Sequence, residues 1–102
     1  MNRPTNFRLS ALAKKDLNAI FKYTIQNWGE LQAKEYAQKI SDGFDLLSKQ
    51  PTIGKSRNDL YPEALCFPIG SHMVFYAINK NLDTSIEIAR ILHKRMDFAS
   101  LF

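Results

Sequence analysis

A chain of 102 residues is long enough to bury one hydrophobic core and too short for two, so a single domain over residues 1–102 is expected. Its 45% hydrophobic and 12% aromatic content excludes a disordered tail, while a formal charge of +4 permits an acidic partner without requiring one. The lone Cys66 rules out an intrachain disulfide and a cysteine-rich metal site; between Leu65 and Phe67 it reads as a small buried thiol rather than a nucleophile. Residues 1–7 carry no continuous apolar run of a secretion signal, and no stretch reaches the length of a membrane span. A cytoplasmic protein without membrane association is the expectation.

Residues 5–10 alternate polar and apolar, with Phe7 and Leu9 on one side, which predicts a short first strand. Ser10 suits a helix N-cap, because its hydroxyl can accept from a free amide of the first turn. Beyond it Ala13, Leu17, Ile20, Phe21, Thr24 and Trp28 recur with the 3.6-residue period of an amphipathic helix, leaving Lys14, Lys15, Asn18 and Lys22 to solvent. Gly29 is placed to end that helix. A second helix is expected from about residue 31 to about residue 49, with Ala33, Tyr36, Ala37, Ile40, Phe44 and Leu47 as its apolar stripe and Pro51 forbidding continuation. Lys34, Glu35, Gln38, Lys39 and Asp42 form its solvated face, and Gly43 inside it is read as a close approach to the first helix. So short a connection makes the two an antiparallel αα-hairpin.

Residues 51–62 are rich in Gly, Pro, Ser, Asn and Asp and read as a loop. Gly54-Lys55-Ser56 within it imitates the end of a phosphate-binding loop. The upstream glycine is absent, since position 49 is Lys, and a helix precedes where a strand should. Three strands follow. Residues 64–69 come first, where Pro68 argues for an edge or a bulge; Gly70-Ser71 makes a two-residue turn. Residues 72–78 are apolar on both parities, as a central strand covered on both faces would be. A turn over residues 79–83 leads to the last strand, where Ile86, Ile88 and Leu92 share one parity and are expected to face the helices. Arg90 shares that parity, so it must escape at the sheet edge or pair with a carboxylate. The fold class is therefore α+β: a short N-terminal strand, an αα-hairpin, then a three-stranded antiparallel meander with the helices packed on one face of the sheet.

No motif for paired catalytic carboxylates, a metal site or a nucleophile elbow is present, and no cofactor is implied. What remains is cationic: Lys55 and Arg57 in the loop, His72 and Tyr76 on the central strand, and Arg90, His93, Lys94 and Arg95 at the close. Gathered at one end of the sheet, such groups would bind phosphates or acidic partners. For three of them a structural role stands beside the functional one. Tyr76 either packs in the core or joins a site, Arg90 either pairs with a carboxylate or binds, and His93 is either a structural histidine or an acid–base group. The apolar tail of residues 98–102, with Phe98, Leu101 and Phe102, either folds back onto the body or presents a partner surface. On the second reading its removal should weaken partner binding more than it lowers the melting temperature.

The order of elements resembles the RelE/ParE superfamily of bacterial toxins, and within it the ParE branch. The matching residues are Leu9-Ser10, Ala13, Asp16-Leu17, Tyr23 and Trp28-Gly29, then Pro51, Ile53, Gly54 and Arg57 in the loop. His72, Val74, Phe75 and Tyr76 follow in the central strand, and Ile88, Arg90, Ile91, Leu92, His93, Arg95, Met96 and Asp97 at the end. The resemblance covers nearly the whole chain. It implies the toxin of a type II toxin–antitoxin system serving plasmid or chromosome stabilisation, inhibiting DNA gyrase through its A subunit and neutralised by a ParD-like antitoxin in a toxin–antitoxin hetero-oligomer. No catalysis and no direct sequence-specific DNA binding are implied. Lys55, Arg57, Arg90, His93, Arg95, Phe98, Leu101 and Phe102 are the expected target- or partner-binding residues. Two alternatives remain open: a RelE-like ribosome-dependent mRNA endoribonuclease using Arg57, Tyr76, His93 and Arg95, or an inactive toxin retained as an antitoxin-binding module.

Overall fold

The computed structural model describes residues 7–79 and 86–102. Strand β1 (Phe7–Leu9) leads through Ser10 into helix α1 (Ala11–Trp28), and α2 (Glu30–Lys49) follows after the single residue Gly29. A 3-10 turn (Pro51–Ile53) precedes the two-residue strand β2 (Lys55–Ser56). Strands β3 (Leu65–Ile69), β4 (His72–Ile78) and β5 (Ile86–His93) complete the sheet, and a second 3-10 turn (Phe98–Leu101) closes the chain. From residue 80 onward the turn expected over residues 79–83 lies outside the described residues, as do residues 5 and 6 of the expected first strand.

The helix boundaries have local causes. Ser10 Oγ accepts from Ala13 N–H at 3.0 Å, capping α1 as its sequence position suggested. Gly29 sits at φ +91°, a region other residues rarely adopt, and its N–H donates to Ile25 O at 2.9 Å, so one glycine ends α1 and starts α2. The solvated face of α2 is exposed as expected, and Ala33, Ile40, Phe44 and Leu47 of its stripe are buried. In α1 only Ala13 and Thr24 of the stripe are fully buried; Phe21 and Trp28, assigned to the core from the period, are exposed. Phe21 lies over the cleft between α1 and α2, and Trp28 borders the opening between the hairpin and the sheet.

The sheet has five strands in the order β1-β5-β4-β3-β2, two more than the meander alone. Strand β1 adds to β5 in parallel, Phe7 opposite Ile86 and Leu9 opposite Ile88; β2 adds to β3, Lys55 opposite Cys66. Strand β4 is central, as its two-sided apolar pattern predicts, and Val74, Phe75 and Tyr76 are fully buried. Pro68 lies on β3 beyond the reach of β2, where no ladder partner needs its missing N–H. The helices cover one face, over a core of Ile40, Phe44, Leu47, Ile69, Val74, Tyr76, Ile86, Ile88 and Ile91. On the opposite face Cys66, Phe75 and Leu92 form a smaller cluster covered by Leu60, Met73 and Phe98.

Two expectations are corrected. Phe75 pairs with Arg90 while Tyr76 pairs with Ile88, so Ala89 is an extra residue and β5 carries a bulge. The alternation resets there. Ile86, Ile88 and Ile91 pack under the helices, whereas Leu92 turns to the other face. Gly43 packs against β3 and not against α1, since a Cβ there would run into the Ile69 side chain.

Candidate functional site

The bulge is held by three polar groups from the start of the chain. Ser10 N–H donates to Ile88 O at 2.9 Å, and its hydroxyl donates to Ala89 O at 2.7 Å. Asp16 takes two hydrogen bonds from Arg90, Nε at 2.9 Å and Nη2 at 3.0 Å, and a third from Ile91 N–H at 3.0 Å. Arg90 thus pairs with a carboxylate, one of its two expected fates. The bonds to Asp16 hold its guanidinium even more firmly protonated than usual. Its donors toward Asp16 are spent on architecture. Asp16 carries a readable signal: it falls among Ala13, Leu17 and Ile20 on the buried side of α1, where an unpaired charge would be costly.

Tyr76 is equally committed. Its hydroxyl donates to Pro51 O at 2.8 Å and accepts from Gly54 N–H at 2.9 Å, closing the loop after α2 onto the centre of the sheet. A side chain at Gly54 would collide with that hydroxyl, so the glycine is required by the close approach. Burial raises the Tyr76 pKa, which keeps the phenol neutral.

Arg57 lies on the opposite face. It binds Asp59 through two hydrogen bonds of 2.9 Å, and these hold the Asp59 carboxyl below its usual range. Its guanidinium carbon also stands 5.9 Å over the Phe98 ring. Phe98 and Phe102 meet Phe75 edge-on, with ring centres 4.9 and 5.0 Å apart, and Phe102 meets Tyr61 at 5.2 Å. The tail therefore folds back onto the sheet. Leu101 and Phe102 nevertheless stay partly exposed. Lys55 is exposed on the edge strand, and Lys94 and Arg95 are exposed after β5. Burial pushes the Tyr61 phenol up to about 12.

The fourth arrangement lies at the far end of the sheet. His72 opens β4 and His93 ends β5; the ladder sets them opposite each other, rings edge to face and 5.4 Å apart. Tyr36 of α2, which the sequence placed in an apolar stripe, reaches over them. Its hydroxyl is 2.6 Å from His72 Nδ1, accepts from Ser71 N–H at 3.0 Å and lies 3.3 Å from Ile69 O. Gly70, at φ +58°, leaves room for the Tyr36 ring, which any Cβ would strike. The His72 pKa is lowered, mainly by burial and secondly by His93, with Asp16 opposing. These groups floor a groove of about 570 Å³ between the hairpin and the sheet end, walled by Ile20, Tyr23, Trp28 and Met96. Tyr23 and Trp28 are 63% and 65% exposed, a large aromatic surface for a chain of this size.

The expected cationic residues are thus not assembled in one place. Arg57 sits on the tail face, His93 in the groove and Arg90 against α1, while Tyr76 is sealed under the helices. The residues that sequence reasoning passed over are Tyr36 and the exposed aromatics of α1. A polar aromatic in an apolar stripe was the available signal for the first. Among the described residues no group of three His, Cys, Asp or Glu side chains is placed to hold a metal, and no helix is long and apolar enough to cross a membrane.

Comparison with known proteins agrees over most of the chain. It is 34% identical over 91 residues to Toxin ParE1 of Caulobacter vibrioides, covering 89% of this chain and 91% of that one. A chain of the chromosomal ParDE toxin–antitoxin system from P. aeruginosa superimposes with a TM-score of 0.72 at 19% identity, covering 87% of this chain and 95% of that chain. A chain of the toxin–antitoxin complex RelBE2 from Mycobacterium tuberculosis superimposes with a TM-score of 0.62 at 20% identity, covering 90% and 100%. At those identities the two structures show the shared fold. A sequence model described as the ParE toxin of the type II toxin–antitoxin system parDE matches residues 7–98, and the chain therefore belongs to the ParE toxin family.

Proposed function

We propose that this protein is a toxin that binds the A subunit of DNA gyrase without chemistry of its own, acts in the cytoplasm and is neutralised by a ParD-like antitoxin. The observation that carries the non-enzymatic reading is the dispersal of Arg57, Tyr76, Arg90 and His93, the residues an endoribonuclease reading would have to bring together. Ribonucleolytic phosphoryl transfer needs several cations around one phosphate, with an acid and a base within hydrogen-bond reach of the reacting oxygens. Tyr76 has both its hydrogen bonds spent on Pro51 and Gly54, Arg90 is spent on Asp16, and Arg57 and His93 occupy different faces. The antitoxin reading is supported by the family and by the groove, whose apolar walls fit one face of an amphipathic helix.

The purified chain should inhibit gyrase supercoiling or trap its cleavage complex, and full supercoiling at molar excess of the protein overturns the proposal. A translation reaction carrying the same protein should leave messenger RNA intact. Cleavage there that Arg57→Ala or Arg95→Ala abolishes would establish the endoribonuclease instead.

A further inference from the structure

The two groove histidines each have one ring nitrogen engaged and one facing the groove. The Tyr36 hydroxyl accepts from Ser71 N–H at 3.0 Å, donates toward Ile69 O at 3.3 Å and meets His72 Nδ1 at 2.6 Å, a contact that either tautomer of neutral His72 can make. His93 Nδ1 accepts from Arg95 N–H at 3.1 Å. His93 therefore carries a hydrogen on Nε2, as does His72 once it is protonated. Neither Nε2 has a hydrogen-bond partner among the described residues, and neither is sealed from solvent, while both residues line the groove. With ring centres 5.4 Å apart, the pair is close enough for one carboxylate to accept from both.

Charge selects the same ligand. No Asp or Glu lines the groove, Lys94 and Arg95 follow His93 directly, and the chain carries a formal +4. We infer that His72 and His93 form the polar seat of the groove, receiving one Asp or Glu carboxylate of the docked antitoxin helix and taking up one proton as it binds. The inference rests on the antitoxin reading given above and adds the chemistry of its anchor.

The proton has a defined destination. At a doubly protonated His72, Nδ1–H donates to the Tyr36 hydroxyl, whose own hydrogen goes to Ile69 O at 3.3 Å, so no hydrogen bond is lost. At His93 a proton on Nδ1 would face Arg95 N–H and cost that bond. His72 therefore takes the proton from solvent. The groups around it are Asp16 and Tyr23 of α1, Tyr36 of α2 and His93 of β5, with Lys94 and Arg95 just beyond. In the free chain burial and His93 outweigh Asp16 and keep His72 neutral; an incoming carboxylate supplies the missing counter-charge. The His93 contact argues against a metal on this pair, since coordination through Nε2 would force a hydrogen onto His93 Nδ1, where Arg95 N–H already points.

The test is calorimetric titration of the intact protein with its cognate ParD-type antitoxin, in two buffers of different ionisation enthalpy at neutral pH. That comparison counts protons whatever the affinity. Uptake near one proton is expected for the natural chain and near zero for His72→Gln, which keeps a donor but cannot be charged. Affinity should rise by up to about tenfold per unit fall in pH through the window between the free and bound imidazole pKa values. Because His72→Gln can perturb folding, the imidazole resonances of the natural chain provide a second reading. Those of His72 should titrate at higher pH in the complex than free. Binding without proton uptake, or with an unmoved His72 titration, overturns the inference and leaves the antitoxin reading standing. Absence of binding removes both.

Discussion

At the scale of single residues, the contrast between Arg90 and Arg57 decides what each is for. The Arg90–Asp16 pair is largely withdrawn from water, with side chains 18% and 14% exposed, and Asp16 also carries the Ile91 amide. Removing one partner leaves an uncompensated charge where water can hardly reach it. Arg90→Ala should lower unfolding free energy by about 3 kcal/mol, read as a shifted urea midpoint at unchanged slope. Arg57 and Asp59 are paired at the surface, where such a bond adds little to stability. Arg57→Ala should leave the urea midpoint nearly where it was, so a lost activity in that variant would report on function. Tyr76, read in the sequence as either core or site, belongs to the core because its hydroxyl is a latch between sheet and loop.

At the scale of elements, the C-terminal turn has a double character. Phe98 and Phe102 pack on Phe75 and shield the face of the sheet that the helices leave uncovered. Deleting residues 98–102 would therefore uncover Phe75 and lower the melting temperature, so a loss of partner binding in that variant has to be weighed against the loss of stability. Point substitutions separate the two roles. Phe98→Ala should cost about 2 kcal/mol, somewhat less than a fully buried phenylalanine. Leu101→Ala, at a residue 40% exposed, should change stability by less than about 0.5 kcal/mol. If the tail also touches the target, the Leu101 variant loses gyrase inhibition at an unchanged melting temperature. The hairpin tells the complementary story: its inner stripe fixes the fold, and its outer aromatics, Tyr23 and Trp28, remain open beside the groove.

At the scale of the whole molecule, His72 links folding to pH. Its folded pKa lies below the ordinary imidazole value, so the unfolded chain binds the proton first as pH falls. The associated stability is fully present above the ordinary imidazole value near 6.5 and is lost between there and the lower folded value. The melting temperature of the free chain should decline over that window, and His72→Gln should blunt the decline. Proton uptake on partner binding has the opposite consequence, so the complex should hold or gain stability where the free chain loses it. What the sequence determined by itself was local: the helices with their Ser10 cap and Gly29 break, the two-residue turn at Gly70-Ser71, the central place of β4 and the family signature. Propensity, capping and periodicity act over a few residues and can be read there. Only the tertiary structure decided that β1 joins β5 from the other end of the chain, that a bulge at Ala89 sends Leu92 to the opposite face, and that Tyr36, His72 and His93 converge. Each of these depends on register between segments far apart in sequence, where one residue of offset changes which face a side chain meets.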